Sequence, residues 1–156
     1  FYTRGMSFID MAYLKKSDLK NGIITYRRRK TGQQLTVKWE KCMEDIIAKY
    51  GENTATRHLL PIITNPCSDE RTQYRNAICR INVALKEVAD LAGLDIPLTM
   101  HVARHCWASV AKSKNIPLSV ISEGMGHDSE ETTRIYLASL DTSVVDKANS
   151  LILKDF

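Results

Sequence analysis

The sequence predicts a mainly α domain with one small antiparallel β-sheet, an α+β arrangement, on three observations. Residues 71–92 place Ile78, Ile81, Leu85, Val88 and Leu91 at the spacing of a single helix face. Two runs rich in Ile, Thr, Tyr and Val, Ile23–Arg29 and Gln33–Trp39, are separated only by Lys30-Thr31-Gly32, which is the pattern of a hairpin. Further short helical segments follow Thr99, Pro117 and Asp128, so the C-terminal half reads as helices joined by tight turns.

In chain order, Ser7–Leu14 reads as a helix, and Ser17-Asp18 and Asn21-Gly22 punctuate the chain as turns. The hairpin comes next, with a strongly basic tip. A short helix with Met43, Ile46, Ile47 and Tyr50 on one face is expected to stop at Gly51. The stretch 52–69, with Pro61, Asn65 and Pro66, reads as loop, and the long helix beyond it should end at Gly93. Thr99 is a fitting N-cap for a helix running to Lys114, because its hydroxyl can accept from a first-turn amide. Pro117 suits the first position of a short helix ending near Gly124. Residues 130–138 are helical again, and 143–154 form a tail helix after a linker at 139–142.

At 156 residues the chain fits one domain with a real core. No apolar run approaches the roughly 20 residues that span a bilayer, and no signal-peptide pattern opens the chain. It opens on Phe1 rather than Met, and the expectation is a fragment of a longer protein. The four cysteines, Cys42, Cys67, Cys79 and Cys106, show neither a CxxC spacing nor a disulfide framework; they read as reduced thiols of a cytoplasmic protein. Net charge is +4, from 22 Lys+Arg against 18 Asp+Glu, a weak pointer to nucleic acid on its own. The distribution says more. Arg27, Arg28, Arg29 and Lys30 are consecutive. On a strand they alternate faces, so at most two of the arginines can face DNA together; phosphate contact is favoured over a merely solvated edge.

His101, Arg104 and His105 stand at i, i+3 and i+4, on one helical face. Such donors suit a bound oxyanion, since a guanidinium offers phosphate two parallel hydrogen bonds. Zinc is the competing reading of two histidines at i, i+4, but the zincin pattern needs Glu after the first histidine and the chain has Val102. Twenty-two residues after His105 comes Gly126-His127, and nine residues further comes Tyr136. A phenol ionises near pH 10, so as a nucleophile Tyr136 needs cations or a base beside it.

The order HxxRH, a gap of about 20 residues, Gly-His, then Tyr nine residues on resembles the tyrosine recombinases of the phage integrase family. Ile116-Pro117-Leu118 with Val120-Ile121 ahead of Gly126-His127 resembles that family's Pro-Leu-x-x-Ile helix, and the Lys30-Thr31-Gly32 hairpin resembles the strand pair bearing its catalytic lysine. The likeness runs from about Thr3 to Ala138. It implies an integrase-type catalytic domain over 1–156, with an N-terminal DNA-binding domain elsewhere in the parent protein. Tyr136 would attack the scissile phosphate to give a 3′-phosphotyrosyl link. Arg104 would stabilise the charged transition state, His101 would act as base or donor, and His127 would bond the phosphate. Lys30 would protonate the leaving 5′-oxygen, and His105 would support the site from the side. Neither metal nor cofactor is implied. The partner would be duplex DNA, with a homotetramer formed on it by tail exchange and a monomer otherwise.

One departure stands out. The family's first arginine aligns with Ser7, and its acidic residue with Asp10. Arg4, three residues earlier, is the expected stand-in; the alternative is that Arg4 is a surface residue and the site runs with one arginine. Three other functions stay open beside recombination: a type IB topoisomerase, a DNA-binding relic that has lost its chemistry, and a zinc hydrolase built on His101, His105 and His127.

Overall fold

The computed structural model describes residues 1–50, 55–95 and 97–137. The expected tail helix at 143–154, its linker and the Gly51 stop lie outside the described residues. Among the described residues six α-helices and a three-stranded antiparallel sheet follow one another as α1 (Phe8–Ala12), β1 (Leu19–Lys20), β2 (Ile23–Arg27), β3 (Gln34–Lys38), α2 (Lys41–Ile47), α3 (Glu70–Leu91), α4 (Met100–Ser113), α5 (Leu118–Met125) and α6 (Glu130–Leu137). The sheet order is β1-β2-β3, so the mainly α fold with a small sheet is what the structure contains. Strand β1 is an addition to the sequence reading: it is two residues long and lies where turn residues dominate.

Strands β2 and β3 alternate strictly between exposed and buried positions, as expected of a sheet with one wet face. Their inward residues Ile24, Tyr26, Leu35 and Val37 join Met6, Leu14 and Met43 in a first core. A second core, Ala108, Ile121, Met125 and Leu137, lies among α4, α5 and α6. A fully buried aliphatic side chain contributes roughly 1.5–3 kcal/mol, so each cluster is enough to fix its own elements. Two predicted helix faces hold only in part. On α3, Ile78, Ile81 and Leu85 are half-buried beside buried Ala77 and Ala89, while Val88 and Leu91 are exposed; on α2, Met43 is buried and Ile47 half-buried, but Ile46 and Tyr50 are exposed.

Helix α5 ends at Met125, one residue beyond the expected Gly124. Pro117 is its N-cap, and Gly126, with φ +66°, is its left-handed C-cap. Gly124 instead lies inside the helix, where a Cβ would stand 3.0 Å from the Trp107 ring. Gly126 is constrained twice, because a Cβ there would also sit 2.7 Å from Arg28 Cδ and from Leu35 Cδ1. Backbone handedness and the close approach of the hairpin therefore demand glycine together. Replacing Gly126 with Ala should cost about 2–4 kcal/mol from left-handed strain and overpacking combined, read as a lower midpoint in chemical denaturation.

Candidate active site

The site forms where the two cores meet. Thr99 caps α4 by accepting the Val102 amide at 3.3 Å, and one turn later Arg104 points inward, 7% exposed. Its Nη1 donates to the Gly5 carbonyl at 2.5 Å and its Nη2 to the Met125 carbonyl at 2.7 Å. Gly5, also left-handed, lets α4 approach so closely that a Cβ there would stand 3.3 Å from Arg104 Cα. Burial and the nearby Arg28 charge lower the Arg104 pKa, and a guanidinium nonetheless keeps its proton.

Arg104 Nη2 also lies 3.2 Å from His127 Nε2, while His127 Nδ1 is 2.8 Å from Thr133 Oγ1. Because Arg104 can only donate, Nε2 accepts, and the Nδ1–H of a neutral ring donates to Thr133. Burial first, then the charges of Arg104, Arg28 and Lys30, push the His127 pKa down to about 4. The arrangement is the reverse of a zinc site, since a cation faces the nitrogen that would have to bind metal. Among the described residues no group of three His, Cys, Asp or Glu is placed to hold a metal ion.

Tyr136, on the second turn of α6, stacks flat on His105 with ring centroids 3.6 Å apart and 5° between planes. His101 and His127 stand edge-on to it at 5.8 and 5.5 Å. The Tyr136 hydroxyl is buried without a hydrogen-bond partner among the described residues, and burial raises its pKa against the opposing pull of Arg104. His101 is exposed, and His105 is lowered in pKa by burial and by its neighbours His101 and Arg104.

The hairpin supplies the remaining cations, and it separates them by facing. Arg28 accepts the Gly32 amide and donates its own to Gln33 at 2.8 and 2.9 Å, closing the tip. Lys30 is exposed on that tip, close enough for its charge to act on His127. Arg27 is exposed and donates to the Gly32 carbonyl at 3.1 Å. Arg29 is exposed too, with its guanidinium 3.8 Å from the centre of the Tyr13 ring, a cation–π contact. Arg28 alone turns inward, 8% exposed: Nη1 donates to the Gly126 carbonyl and Nε lies 3.9 Å from Asp10 Oδ2. Arg28 therefore does not share the outward edge of Arg27 and Arg29, contrary to the expectation that it offers itself with them to a partner surface. Period-two alternation foretold that the three would divide but not which one would be buried.

Position 7 has a local explanation. Ser7 caps α1 and donates to Asp10 Oδ2 at 2.6 Å, while Asp10 Oδ1 accepts the Arg29 amide at 2.8 Å. Arg4 is exposed at φ +56°, and its stem passes 3.9 Å from the Cβ position of Gly124. No hydrogen bond ties its guanidinium to the site among the described residues. Sequence reasoning missed Thr133 and the inward turn of Arg28. A threonine one turn before Tyr136 was a readable sign of the first; the second needed the tertiary structure.

A mainly helical domain with a small antiparallel sheet thus gathers an arginine, three histidines and a buried tyrosine hydroxyl at one place. The chain belongs to the phage integrase family, whose model matches residues 2–143, the family of the tyrosine recombinases. No curated protein matches it. Among solved structures it is similar to XerA recombinase (21% identity, TM-score 0.66, covering 95% of this chain and 53% of that one). It is also similar to XerH site-specific recombinase bound to difH substrate in a pre-cleavage complex (20%, 0.65, 96% and 43%) and to a lambda integrase dimer bound to a COC′ core site (18%, 0.55, 86% and 48%). At these identities the likeness is one of fold, that of tyrosine recombinase catalytic domains, and the chain spans about half the length of the structures it resembles.

The His127 geometry has a consequence for pH. An unfolded histidine takes up a proton near pH 6.5 and folded His127 only near 4, so the unfolded chain holds more protons between those values and stability must rise with pH across that window. Its contribution is complete above about pH 6.5 and falls away as pH drops toward 4; burial of His58 and His105 acts in the same direction. The His127 ring should titrate near 4 by NMR, and His127→Gln should flatten the rise of Tm over pH 4–6.5.

Proposed function

We propose that the chain is the catalytic domain of a site-specific DNA recombinase, cleaving and rejoining strands through a covalent 3′-phosphotyrosyl intermediate. A phage or other mobile element is the proposed source. The observation that carries this reading is the convergence of Arg104, His127, His101 and His105 on the Tyr136 ring, with Lys30 on the adjoining hairpin tip. Net charge of +4 and exposed Arg27 and Arg29 fit a duplex backbone as partner. Assembly of four protomers by tail exchange on that DNA, from a monomer in its absence, belongs to the same proposal.

In the reaction, the Tyr136 Oη–phosphorus bond forms and the phosphorus–O5′ bond breaks. The phenol proton passes to His101, and Lys30 returns a proton to the departing O5′. Arg104 holds the non-bridging oxygens as negative charge builds in the pentacoordinate state. Once an anion occupies the place that His127 Nε2 now faces, the ring gains reason to protonate and donate to it. The free Tyr136 hydroxyl is sequestered above His105, so DNA binding must draw the ring off that stack before attack. The phosphodiester bond energy is kept in the phosphotyrosine, and rejoining needs no nucleotide.

Two experiments test this. A full-length protein carrying the chain, mixed with nicked duplexes of randomised sequence and captured under denaturing conditions, should yield protein-linked DNA; Tyr136→Phe should yield none. Loss of linkage in both would point to a DNA-binding relic, and relaxation of any supercoiled plasmid without a preferred sequence would point to a topoisomerase. On the captured sequence, Lys30→Ala should slow cleavage by roughly 100-fold or more, the range of a general acid. A bridging 5′-sulfur, which leaves without protonation, should restore the rate.

A further inference from the structure

We infer that Arg28 is the second phosphate-binding arginine of this active site, reaching from the hairpin the place that an arginine at position 7 would otherwise serve. The inference rests on the recombinase reading above and deepens it. Ser7 cannot act there, since its hydroxyl is engaged with Asp10 and caps α1. Arg28 is as deeply placed as Arg104, 8% against 7% exposed, and the two guanidinium groups are held by the carbonyls of consecutive residues, Gly126 and Met125.

Three features of Arg28 suit a phosphate and not a purely structural clamp. Its Nε is buried without a hydrogen-bond partner, and the nearest carboxylate oxygen, on Asp10, is 3.9 Å away. Its Nη2 makes no hydrogen bond among the described residues and is not sealed from solvent. Its charge acts on both Arg104 and His127, so the three groups share one electrostatic neighbourhood. Burying two like charges together is costly unless an anion or a ring of acceptors offsets it. Three carbonyls, the His127 nitrogen and the buried Asp10 carboxylate 3.9 Å from Arg28 still leave the Arg28 Nε and Nη2 donors without a hydrogen bond, and a phosphate would use them. Tip atoms Thr31 Oγ1 and Gln33 Oε1 are also buried without partners, as expected of a hairpin end that completes its bonding only with substrate. Arg4 offers no comparable geometry.

The test separates charge neutralisation from support of the fold. In the full-length protein, Arg28→Ala and Arg28→Lys are assayed for covalent linkage on the captured duplex, and again on the same duplex with a methylphosphonate at the scissile position. The methyl group removes the negative charge that an arginine would neutralise. On the phosphodiester, Arg28→Ala should lose roughly 100-fold or more in rate, as for loss of one transition-state donor, with Arg28→Lys intermediate. On the methylphosphonate, Arg28→Ala should come within about ten-fold of the unaltered protein, the size of ordinary secondary effects.

Equal loss on both substrates, or misfolding of Arg28→Ala with full activity in Arg28→Lys, would overturn the assignment and leave Arg28 a structural residue. Rescue appearing in Arg4→Ala and not in Arg28→Ala would move the role to Arg4. The recombinase reading fails separately, if the unaltered protein forms no Tyr136 adduct at all.

Discussion

Two buried guanidinium groups of like charge, Arg104 and Arg28, set the terms for the rest of this fold. Each would be expensive to bury alone, and together they repel. They are made tolerable by the buried Asp10 carboxylate beside Arg28 and by the C-terminus of α5, where Met125 and Gly126 present carbonyls that lack partners inside the helix. The end of a helix also carries partial negative charge. The arginines thus cap a helix that would otherwise end in unsatisfied acceptors, and the helix end offsets part of their burial. That exchange requires α4, the hairpin and α5 to meet within a few ångströms, and the glycines at 5 and 126 are the places where backbone can approach that closely.

The same contacts join the two hydrophobic cores. Two polar bridges cross between them, from Arg104 to Gly5 on one side and from Arg28 to Gly126 on the other. The placement of Arg104 and Arg28 and the joining of the hairpin, α4 and α5 therefore share one set of hydrogen bonds. It also explains the protonation state of the site. His127 lies against Arg104 and within reach of the Arg28 and Lys30 charges, so it stays neutral in the free protein, and Tyr136 stays a phenol, its hydroxyl desolvated. An anion entering the site would raise the proton affinity of His127, because it offsets the cations that now hold it down.

Much of this was legible in the sequence because spacing encodes it. The i, i+3, i+4 pattern of His101, Arg104 and His105 put three side chains on one face of α4, and Gly-His followed by Tyr nine residues on put a turn before α6. The hairpin declared itself through β-branched runs on either side of Lys30-Thr31-Gly32. What spacing could not supply was depth. The chain shows four consecutive cations at the tip, yet which one turns inward depends on where β2 lies against α1 and α5. For the same reason sequence proximity suggests Arg4 as the stand-in at Ser7, while only the fold reveals that Arg28 lies beside Asp10. Local pattern misjudged part of helix α3 as well, since its apolar stripe includes Val88 and Leu91, which the fold leaves exposed, and its fully buried positions are small Ala77 and Ala89.

The central claim, that Arg104 and Arg28 jointly form one oxyanion site, is tested most directly by a crystal structure of the protein with its duplex and orthovanadate in place of the scissile phosphate. Equatorial vanadate oxygens should be held by both guanidinium groups, with His127 Nε2 donating to the same centre and Tyr136 Oη as an apical ligand. A vanadate held by Arg104 alone, with Arg28 still spent entirely on Gly126 and Asp10, would contradict it.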